Sequence, residues 1–489
     1  MITYTFEERG SKPLYELLYE KIRTDIIEGR LKAGEKLPSK RALSAQCGVS
    51  VITVENAYAQ LAAEGYLNAK PRSGFYVSDV FPQERRIGTG RSADADSAAR
   101  EAERKKAAEA GRTRAAQMPA VFADFTSNAV PPSGFPFSVW SRLMRETLSE
   151  DQEKLLARAP SEGVLALREA VAEYLRQFRG FEADPAQIII GAGTEYLYGL
   201  LVQLLGRDIV IGVEEPGYRK VSRICAANGA RVRHIPVDAQ GMDVSLLAGS
   251  DVQAVHISPG HHFPTGTVMP IGRRLALLDW ADREEGRYII EDDYDSEFRM
   301  SGRPVPSLAG IDRSDRVIYM NTFSKSLSRT IRISYMVLPY PLLERYHREL
   351  DFYACTVSNF EQYTLARFIS RGYFEKHINR MRNHYRGVRD ALLREIACRG
   401  DKDQVREEHA GLHFLLRVPT DCTDTELTRR AFENGIAVSC LSSFYENPDP
   451  APQHVLVMNY SALETEKTAQ AVARLYACFE DPSFSDTAY

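Results

Sequence analysis

The sequence predicts two domains of different fold class, an N-terminal winged helix-turn-helix and a larger α/β domain with a mainly parallel sheet. Residues 11–78 show short helical patterns that end in a hairpin. Residues 79–119 are charged, rich in alanine and poor in large apolar residues, as in a solvated linker. From residue 120 to 489, apolar runs alternate with amphipathic helices. Such alternation predicts a sheet with helices on both faces.

The bulk properties exclude several classes of protein. The chain has 489 residues and a net charge of −4, so any contact with nucleic acid requires a local basic patch. No apolar run approaches the roughly 18 residues that span a bilayer, and the N-terminus lacks a signal-peptide pattern. Seven scattered cysteines without a C-x-x-C pair predict reduced thiols and no zinc site. We expect a cytoplasmic protein with no membrane attachment and no metal.

The first domain is predicted helix by helix. Apolar residues recur at helical spacing from Leu14 to Ile26, and Gly29 ends this run. Ser39 begins a second helix, and Ser50 caps a third after a tight turn. Two short strands follow, separated by a glycine-containing turn. Three helices and a hairpin make a winged helix-turn-helix.

Polar residues occupy the positions at which this fold contacts DNA. The start of the last helix meets base edges, and an amide such as that of Asn56 suits adenine. Cations at the start of the preceding helix and on the wing suit phosphates or a minor groove. A winged helix used only for protein contacts is the alternative. The candidate DNA-binding residues are Ser39, Arg41, Ser50, Thr53, Asn56, Lys70, Arg72 and Gly74.

This unit resembles the GntR-type winged helix. The matching segments are residues 37–43, 51–58, 61–67 and 72–77. The resemblance implies a double-stranded DNA operator as partner and argues against the alternative of protein contacts alone.

In the larger domain, short apolar runs predict six strands and place reactive side chains at their ends. The runs span residues 188–190, 209–213, 254–257, 288–290, 317–320 and 335–338. Buried parallel strands deliver the residues that follow them to one edge of the sheet. A smaller α+β part is predicted from about residue 375, with strands at 411–417 and 454–460.

The residues at this edge suit pyridoxal phosphate. Lys325 offers an amine for an aldehyde, and Asp292 can keep a ring nitrogen protonated. Tyr294 points the same way from an extended segment and can bond a ring oxygen. Arg332 can bind phosphate and, as a nearby cation, can keep Lys325 reactive. Tyr218, after Pro-Gly, is a candidate to stack on the ring.

A glycine-rich turn supplies the phosphate cradle. Ala192, Gly193 and Thr194 follow a strand and open a helix, whose N-terminal amides favour an anion. Thr322 and Ser324 add hydroxyl donors. Taken singly, each feature is more often ordinary turn chemistry or a surface side chain; the prediction depends on their combination and order.

The ordered set resembles the fold-type I aminotransferases over nearly all of residues 120–480. Joined to the winged helix, it is similar to the MocR subfamily of GntR regulators, on the segments 258–266, 291–298 and 322–325. The resemblance implies Lys325 as the lysine that carries pyridoxal phosphate, Asp292 and Tyr294 as partners of the ring, and Arg332 at the phosphate. It also implies a head-to-tail homodimer.

The chain departs from the family pattern at three places. Phe263 stands where aminotransferases commonly have asparagine, and His262 where the subfamily often has glutamine. His261 and His262 are either acid–base groups, residues that line the cofactor or residues with a structural role. No arginine occurs at 455–460, where the substrate carboxylate is often bound; Arg417 and Arg219 are possible substitutes.

We therefore expect a transcription regulator that binds pyridoxal phosphate on Lys325 and responds to an amino compound or to the cofactor itself. A working aminotransferase with an accessory DNA-binding domain is the first alternative, and the absent arginine argues against it. A degenerate domain that dimerises and binds nothing is the second. The combination of Lys325, Asp292, Tyr294 and Arg332 argues against this second alternative.

Overall fold

The computed structural model describes residues 4, 13–70, 73–79, 121–300, 305–400, 404–406, 411–448 and 451–480. The chain divides into two compact units, Met1–Met118 and Pro119–Tyr489, and each is described by itself. Arg72 and nearly all of the predicted linker at 79–119 lie outside the described residues.

The first unit is a winged helix-turn-helix, which confirms the predicted fold. Its elements in order are α1 (Leu14–Ile27), α2 (Lys40–Cys47), α3 (Val51–Ala63), β1 (Leu67–Lys70) and β2 (Gly74–Val77). The two strands pair antiparallel, with Leu67 opposite Val77. The apolar faces of the helices meet in one core, which includes Leu18, Ile22, Leu43, Val54, Tyr58 and Leu61.

Local signals in the sequence set the ends of these helices. The Ser39 hydroxyl accepts a hydrogen bond from the Ala42 amide at the start of α2, and Ser50 does the same for Thr53 at the start of α3. Gly48 ends α2 with φ +64°, a left-handed conformation that glycine adopts without a steric penalty.

The second unit contains an eight-stranded mixed sheet. Its strands, in spatial order, are β4 (Ile188–Gly191), β11 (Ser334–Val337), β10 (Val317–Thr322), β9 (Tyr288–Asp292), β8 (Ala254–Ile257), β5 (Val210–Glu215), β6 (Arg231–Asp238) and β7 (Gly241–Met242). Strands β10, β9, β8, β5 and β6 run parallel, whereas β11 is antiparallel to both of its neighbours and β7 to β6.

Helices cover both faces of this sheet, as predicted. Side chains alternate between the two faces along a strand. Ile290 and Ile318 pack into a core with α7 (Thr194–Leu205), α8 (Arg219–Ala227) and α10 (Tyr340–Glu349). Their neighbours Ile289 and Val317 pack into a different core with α9 (Ile271–Asp282).

The remaining elements form the outer layers and a smaller α+β part. They are β3 (Ala123–Asp124), α4 (Phe137–Glu150), α5 (Gln152–Leu156), α6 (Leu165–Tyr174), α11 (Asn359–Ser370), α12 (Tyr373–Ala397), β12 (Val405–Arg406), β13 (His413–Arg417), α13 (Asp424–Glu433), β14 (Ile436–Ala437), β15 (Ser439–Cys440), β16 (Val455–Asn459) and α14 (Thr468–Glu480). Strands β12, β13, β16 and β15 form an antiparallel sheet, and β3 pairs with β14. Within the described ranges, no helix is both long and apolar enough to cross a membrane.

Candidate functional site

The ends of β9 and β10 and the start of α7 meet at one cavity of about 410 Å³. This edge collects side chains because parallel strands end together there. Nine of the ten residues predicted for the cofactor line the cavity: Gly193, Thr194, Tyr218, Asp292, Tyr294, Thr322, Ser324, Lys325 and Arg332. Ala192 is not part of the lining. Its amide donates to the Thr356 hydroxyl at 2.9 Å.

Lys325 lies in the turn that follows β10 and reaches the cavity. Burial is the main cause that lowers the pKa of Lys325 to about 8, and the nearby cation Arg329 acts in the same direction against the opposing effect of Asp295. At neutral pH a larger fraction of this amine is therefore unprotonated than in an ordinary lysine, and the unprotonated form is the one that attacks an aldehyde. Arg329 also lines the cavity and was not among the residues predicted from the sequence.

Asp292, the last residue of β9, is held by a chain of hydrogen bonds. The Tyr198 hydroxyl donates to Asp292 Oδ2 at 2.9 Å and lies 2.8 Å from His256 Nε2. Because the phenol has one proton, His256 Nε2–H is the donor in the second contact. Asp292 Oδ1 is buried and has no hydrogen-bond partner among the described residues. This oxygen fits the protonated nitrogen of a pyridine ring.

Tyr294 is oriented by a histidine and an acid. His261 Nδ1 lies 2.8 Å from Asp295 Oδ2 and 3.2 Å from the Tyr294 hydroxyl oxygen. A single N–H on Nδ1 can be shared by both oxygens, which leaves the phenolic proton of Tyr294 free to point elsewhere. Burial raises the pKa of Tyr294 well above its ordinary value, and Asp295 and Asp292 add to this. Tyr294 therefore remains a hydrogen-bond donor.

The start of α7 fits a phosphate group. Gly193 precedes the helix with φ +91°, and a Cβ there would collide with the Arg332 guanidinium. As the N-cap residue, Gly193 has no side chain to cap the helix, and Gly193 and Thr194 both line the cavity, so the first amides of α7 suit an anion bound there. Nearby, the Thr322 hydroxyl donates to Ser324 Oγ at 3.0 Å.

Two cations beside this helix share one acid. Arg332 and Lys220 both pair with Glu195 in the first turn of α7. Burial opposes ionisation of Glu195, but hydrogen bonds from Lys220 and Arg332 outweigh it and lower its pKa. The predicted phosphate ligand Arg332 is thus about half exposed and paired with a carboxylate at the cavity wall.

An aromatic wall closes one side of the cavity. Tyr218 is 53% exposed, which leaves much of its side chain without a packing partner. The Tyr218 ring is nearly perpendicular to the Phe263 ring, with 6.0 Å between the ring centres. The centres of the Phe263 and Phe444 rings are 5.1 Å apart. At position 263 the wall is therefore apolar and offers no hydrogen bond.

The paired histidines lie behind this wall. Neither His261 nor His262 is among the cavity-lining residues. Burial lowers the pKa of His262 to about 3, with further contributions from His261 and His256, so His262 is neutral. These positions favour supporting roles over direct acid–base contact with a ligand.

The two arginines considered for a carboxylate occupy different environments. Arg219 lines the cavity and pairs with Glu446 at 2.9 Å, and its Nε is buried without a partner in the part of the chain that is described. Arg417 is exposed at the end of β13, opposite Val455, and does not line the cavity.

In the first unit, the predicted DNA-binding residues lie on the surface in different roles. Ser39 and Ser50 are helix caps, and Thr53 Oγ1 lies 2.8 Å from Ser50 Oγ. The amine of Lys70, on the wing, lies 4.8 Å from the centre of the Tyr76 ring. Arg41, Asn56 and Lys70 are exposed, and Gly74 begins β2 after the turn of the wing.

Comparison with known proteins places both units in families. Residues 14–77 match the family described as bacterial regulatory proteins, gntR family, and residues 123–475 match aminotransferase class I and II. The probable rhizopine catabolism regulatory protein MocR of Rhizobium meliloti is 33% identical over 472 residues, covering 96% of this chain and 94% of its own. The chain belongs to the MocR subfamily of the gntR family. It is a transcription regulator with an aminotransferase-like domain.

Further relatives of this MocR-type regulator span both units or the larger one. The uncharacterized HTH-type transcriptional regulator YdeL of Bacillus subtilis (strain 168) is 39% identical over 475 residues, covering 96% of the regulator and 97% of YdeL. Among solved structures, multiple substrate aminotransferase from Thermococcus profundus matches with a TM-score of 0.64 and 25% identity, over 74% of the regulator and 92% of that chain. Kynurenine aminotransferase from Pyrococcus horikoshii shares the fold, with a TM-score of 0.65, 23% identity and coverage of 82% and 97%.

Proposed function

We propose that this regulator carries pyridoxal phosphate on Lys325 and that an amino compound, or the cofactor itself, alters its binding to operator DNA. The observation that carries the proposal is the buried Oδ1 of Asp292, which has no hydrogen-bond partner among the described residues and lies in the same cavity as Lys325 and Tyr294. Bound there, the cofactor would supply an aldehyde carbon that exchanges one amine for another. The chain supplies the position and charge of every group around it.

The roles of the residues follow from their chemistry. Asp292, fixed by Tyr198, would accept the ring N–H, and Tyr294 would donate to the ring oxygen. The α7 amides, Ser324 and Arg332 would bind the phosphate. Tyr218 would hold the ring through its exposed side chain. Lys325, with its lowered pKa, is the amine that an incoming amino compound would replace.

A head-to-tail homodimer completes the proposal. Two winged helices on one dimer would contact two half-sites, direct or inverted, and set their spacing. A ligand that binds both arrangements of the dimer equally would not shift the equilibrium between them, so the effector must bind one arrangement more tightly.

The effector class is tested by amines with and without a carboxylate. We expect an α-amino acid to change the visible spectrum of the loaded protein and its operator affinity, and Arg219→Gln to weaken this response about tenfold or more. The reason is that Arg219 Nε, at the cavity wall, has no partner in the described ranges of the chain, and a guanidinium fork matches a carboxylate. Spectral titration and DNA binding are measured on the same samples.

Two controls sharpen this test. Arg417→Gln, on the exposed end of β13, should leave the response unchanged. A simple amine should bind wild type and Arg219→Gln equally. An effect of Arg417→Gln equal to that of Arg219→Gln contradicts the assignment of Arg219. Steady turnover with an amino donor and a keto acceptor would favour the aminotransferase alternative.

The DNA end is tested through the salt dependence of binding. Arg41→Ala and Arg72→Ala should each weaken operator binding and reduce the slope of log affinity against log salt by about 0.9 for each phosphate that is no longer neutralised. Arg30→Ala is the control, since that guanidinium pairs with Asp25 and Glu28. Unchanged affinity and slope in both variants would contradict the DNA contacts proposed for Arg41 and Arg72.

A further inference from the structure

The helix α3 exposes two large apolar side chains at its start. Its buried face consists of Val54, Ala57, Tyr58 and Leu61, which pack in the core of the first unit. Val51, three residues before Val54, is 41% exposed at the edge of this buried face, and Ile52 is 68% exposed on the opposite side. Packing in the core therefore explains the apolar residues on one face of the helix but not the exposed apolar group at its N-terminal end. In helix-turn-helix proteins this end of the helix enters the major groove.

The same helix carries no basic residue. Between Gly48 and Ala69 the sequence contains neither lysine nor arginine. The commonest specific contact to guanine, a bidentate arginine or lysine, is therefore not available from α3. Its one acid on this face, Glu55, is paired with Lys40 of α2 at 2.5 Å.

The hydroxyl groups at the start of the helix are already engaged. Ser50 Oγ accepts the Thr53 amide at 3.1 Å and lies 2.8 Å from Thr53 Oγ1. Both side chains thus serve the helix cap. On the side of α3 opposite the core, the exposed groups near its start that remain for base edges are Ile52 and, one turn later, Asn56.

These two side chains match one kind of base pair. In the major groove, thymine presents a methyl group and adenine presents N7 and an amino group. An isoleucine matches the methyl group, and an amide matches adenine. We propose that Ile52 contacts a thymine methyl group in each operator half-site and that α3 selects A·T pairs there. This inference rests on the DNA binding in the proposed function and specifies which bases α3 selects.

The test uses the full-length protein and changes the DNA one methyl group at a time. Operator sequences are selected from a random duplex library, and each thymine of a half-site is then replaced by deoxyuridine. At one thymine we expect the affinity of wild type to fall about fourfold, which corresponds to about 0.8 kcal/mol for one buried methyl-sized group. The Ile52→Ala protein should bind the normal site more weakly and show no such decrease at that thymine.

Ile27→Ala is the matched control, because Ile27 is 46% exposed at the end of α1 in the same unit. It should respond to deoxyuridine as wild type does. Ile52→Thr serves as a second variant that keeps a branched side chain. Specific binding by wild type with no thymine sensitive to removal of its methyl group would overturn the inference, as would equal sensitivity in Ile52→Ala. Absence of any operator binding by wild type would instead contradict the proposed function.

Discussion

Replacement of Lys325 by alanine is expected to abolish the visible absorbance of protein-bound pyridoxal phosphate after dialysis. Lys325 is the lysine at the cavity whose pKa burial lowers to about 8, and its removal takes away the only group proposed to bond the aldehyde. Lys220→Ala is the matched control. Lys220 lines the same cavity but pairs with Glu195, so the control protein should keep its absorbance.

The attachment site can be identified directly. Borohydride reduction of the loaded wild-type protein, followed by peptide mass mapping, should place the added mass on the peptide that contains Lys325. A Lys325→Ala protein that retains the absorbance, or a mass on another lysine, would show that the assignment is wrong. Loss of absorbance in both Lys325→Ala and Lys220→Ala would point to misfolding, which circular dichroism of the two proteins separates from the chemical effect.

The pH dependence of cofactor uptake follows from the lowered pKa. Below about pH 8, Lys325 is mostly ammonium, so the rate at which it reacts with pyridoxal phosphate should fall roughly tenfold for each pH unit of further decrease. Above that value the rate should level off, whereas an ordinary lysine would continue to gain reactivity to about pH 10. Stopped-flow absorbance of the cofactor-free protein measures the profile.

The sequence predicted which residues meet at the cavity better than it predicted what holds them. The end of β9 at Asp292 and the period of two in the extended segment that continues to Tyr294 place these two side chains together, because both follow from local patterns. The support of Asp292 by Tyr198 and His256 joins a helix and another strand. No local pattern encodes that contact, although a histidine inside the apolar strand β8 was a usable signal.

Two other features of the structure were not predicted from the sequence, for different reasons. Strand β6 was missed because its residues alternate between exposed and partly buried and carry several charges, as expected near a sheet edge. Ala192 was assigned to the phosphate because glycine-rich turns usually present several amides. In the structure its amide donates a hydrogen bond to the hydroxyl of Thr356, 164 residues away in sequence.

Arg179 and Asp293 form a buried ion pair behind the cavity that the sequence also did not reveal. Arg179 Nε lies 2.7 Å from Asp293 Oδ2, with side chains 3% and 4% exposed. Tyr319 donates to the same carboxylate at 2.5 Å. Burial alone would lower the pKa of Arg179, but Asp293 and Tyr319 outweigh it and keep the guanidinium charged. Asp293 lies between Asp292 and Tyr294 in sequence, so this pair anchors the segment that presents them.

Arg179→Met is expected to destabilise the larger unit by about 3–5 kcal/mol, because it leaves the Asp293 carboxylate buried without its cation. The shift of the urea midpoint, converted with the slope of the same curve, measures the change in the free energy of unfolding. The double variant Arg179→Met with Asp293→Leu should recover most of the lost free energy of unfolding, since both charges are then absent. Tyr319 would still lack its acceptor, so recovery should be incomplete.

Arg283→Met is the control. It breaks the exposed pair with Asp279 and should lower the free energy of unfolding by less than about 1 kcal/mol. Equal destabilisation by Arg179→Met and Arg283→Met would contradict a structural role for the buried pair.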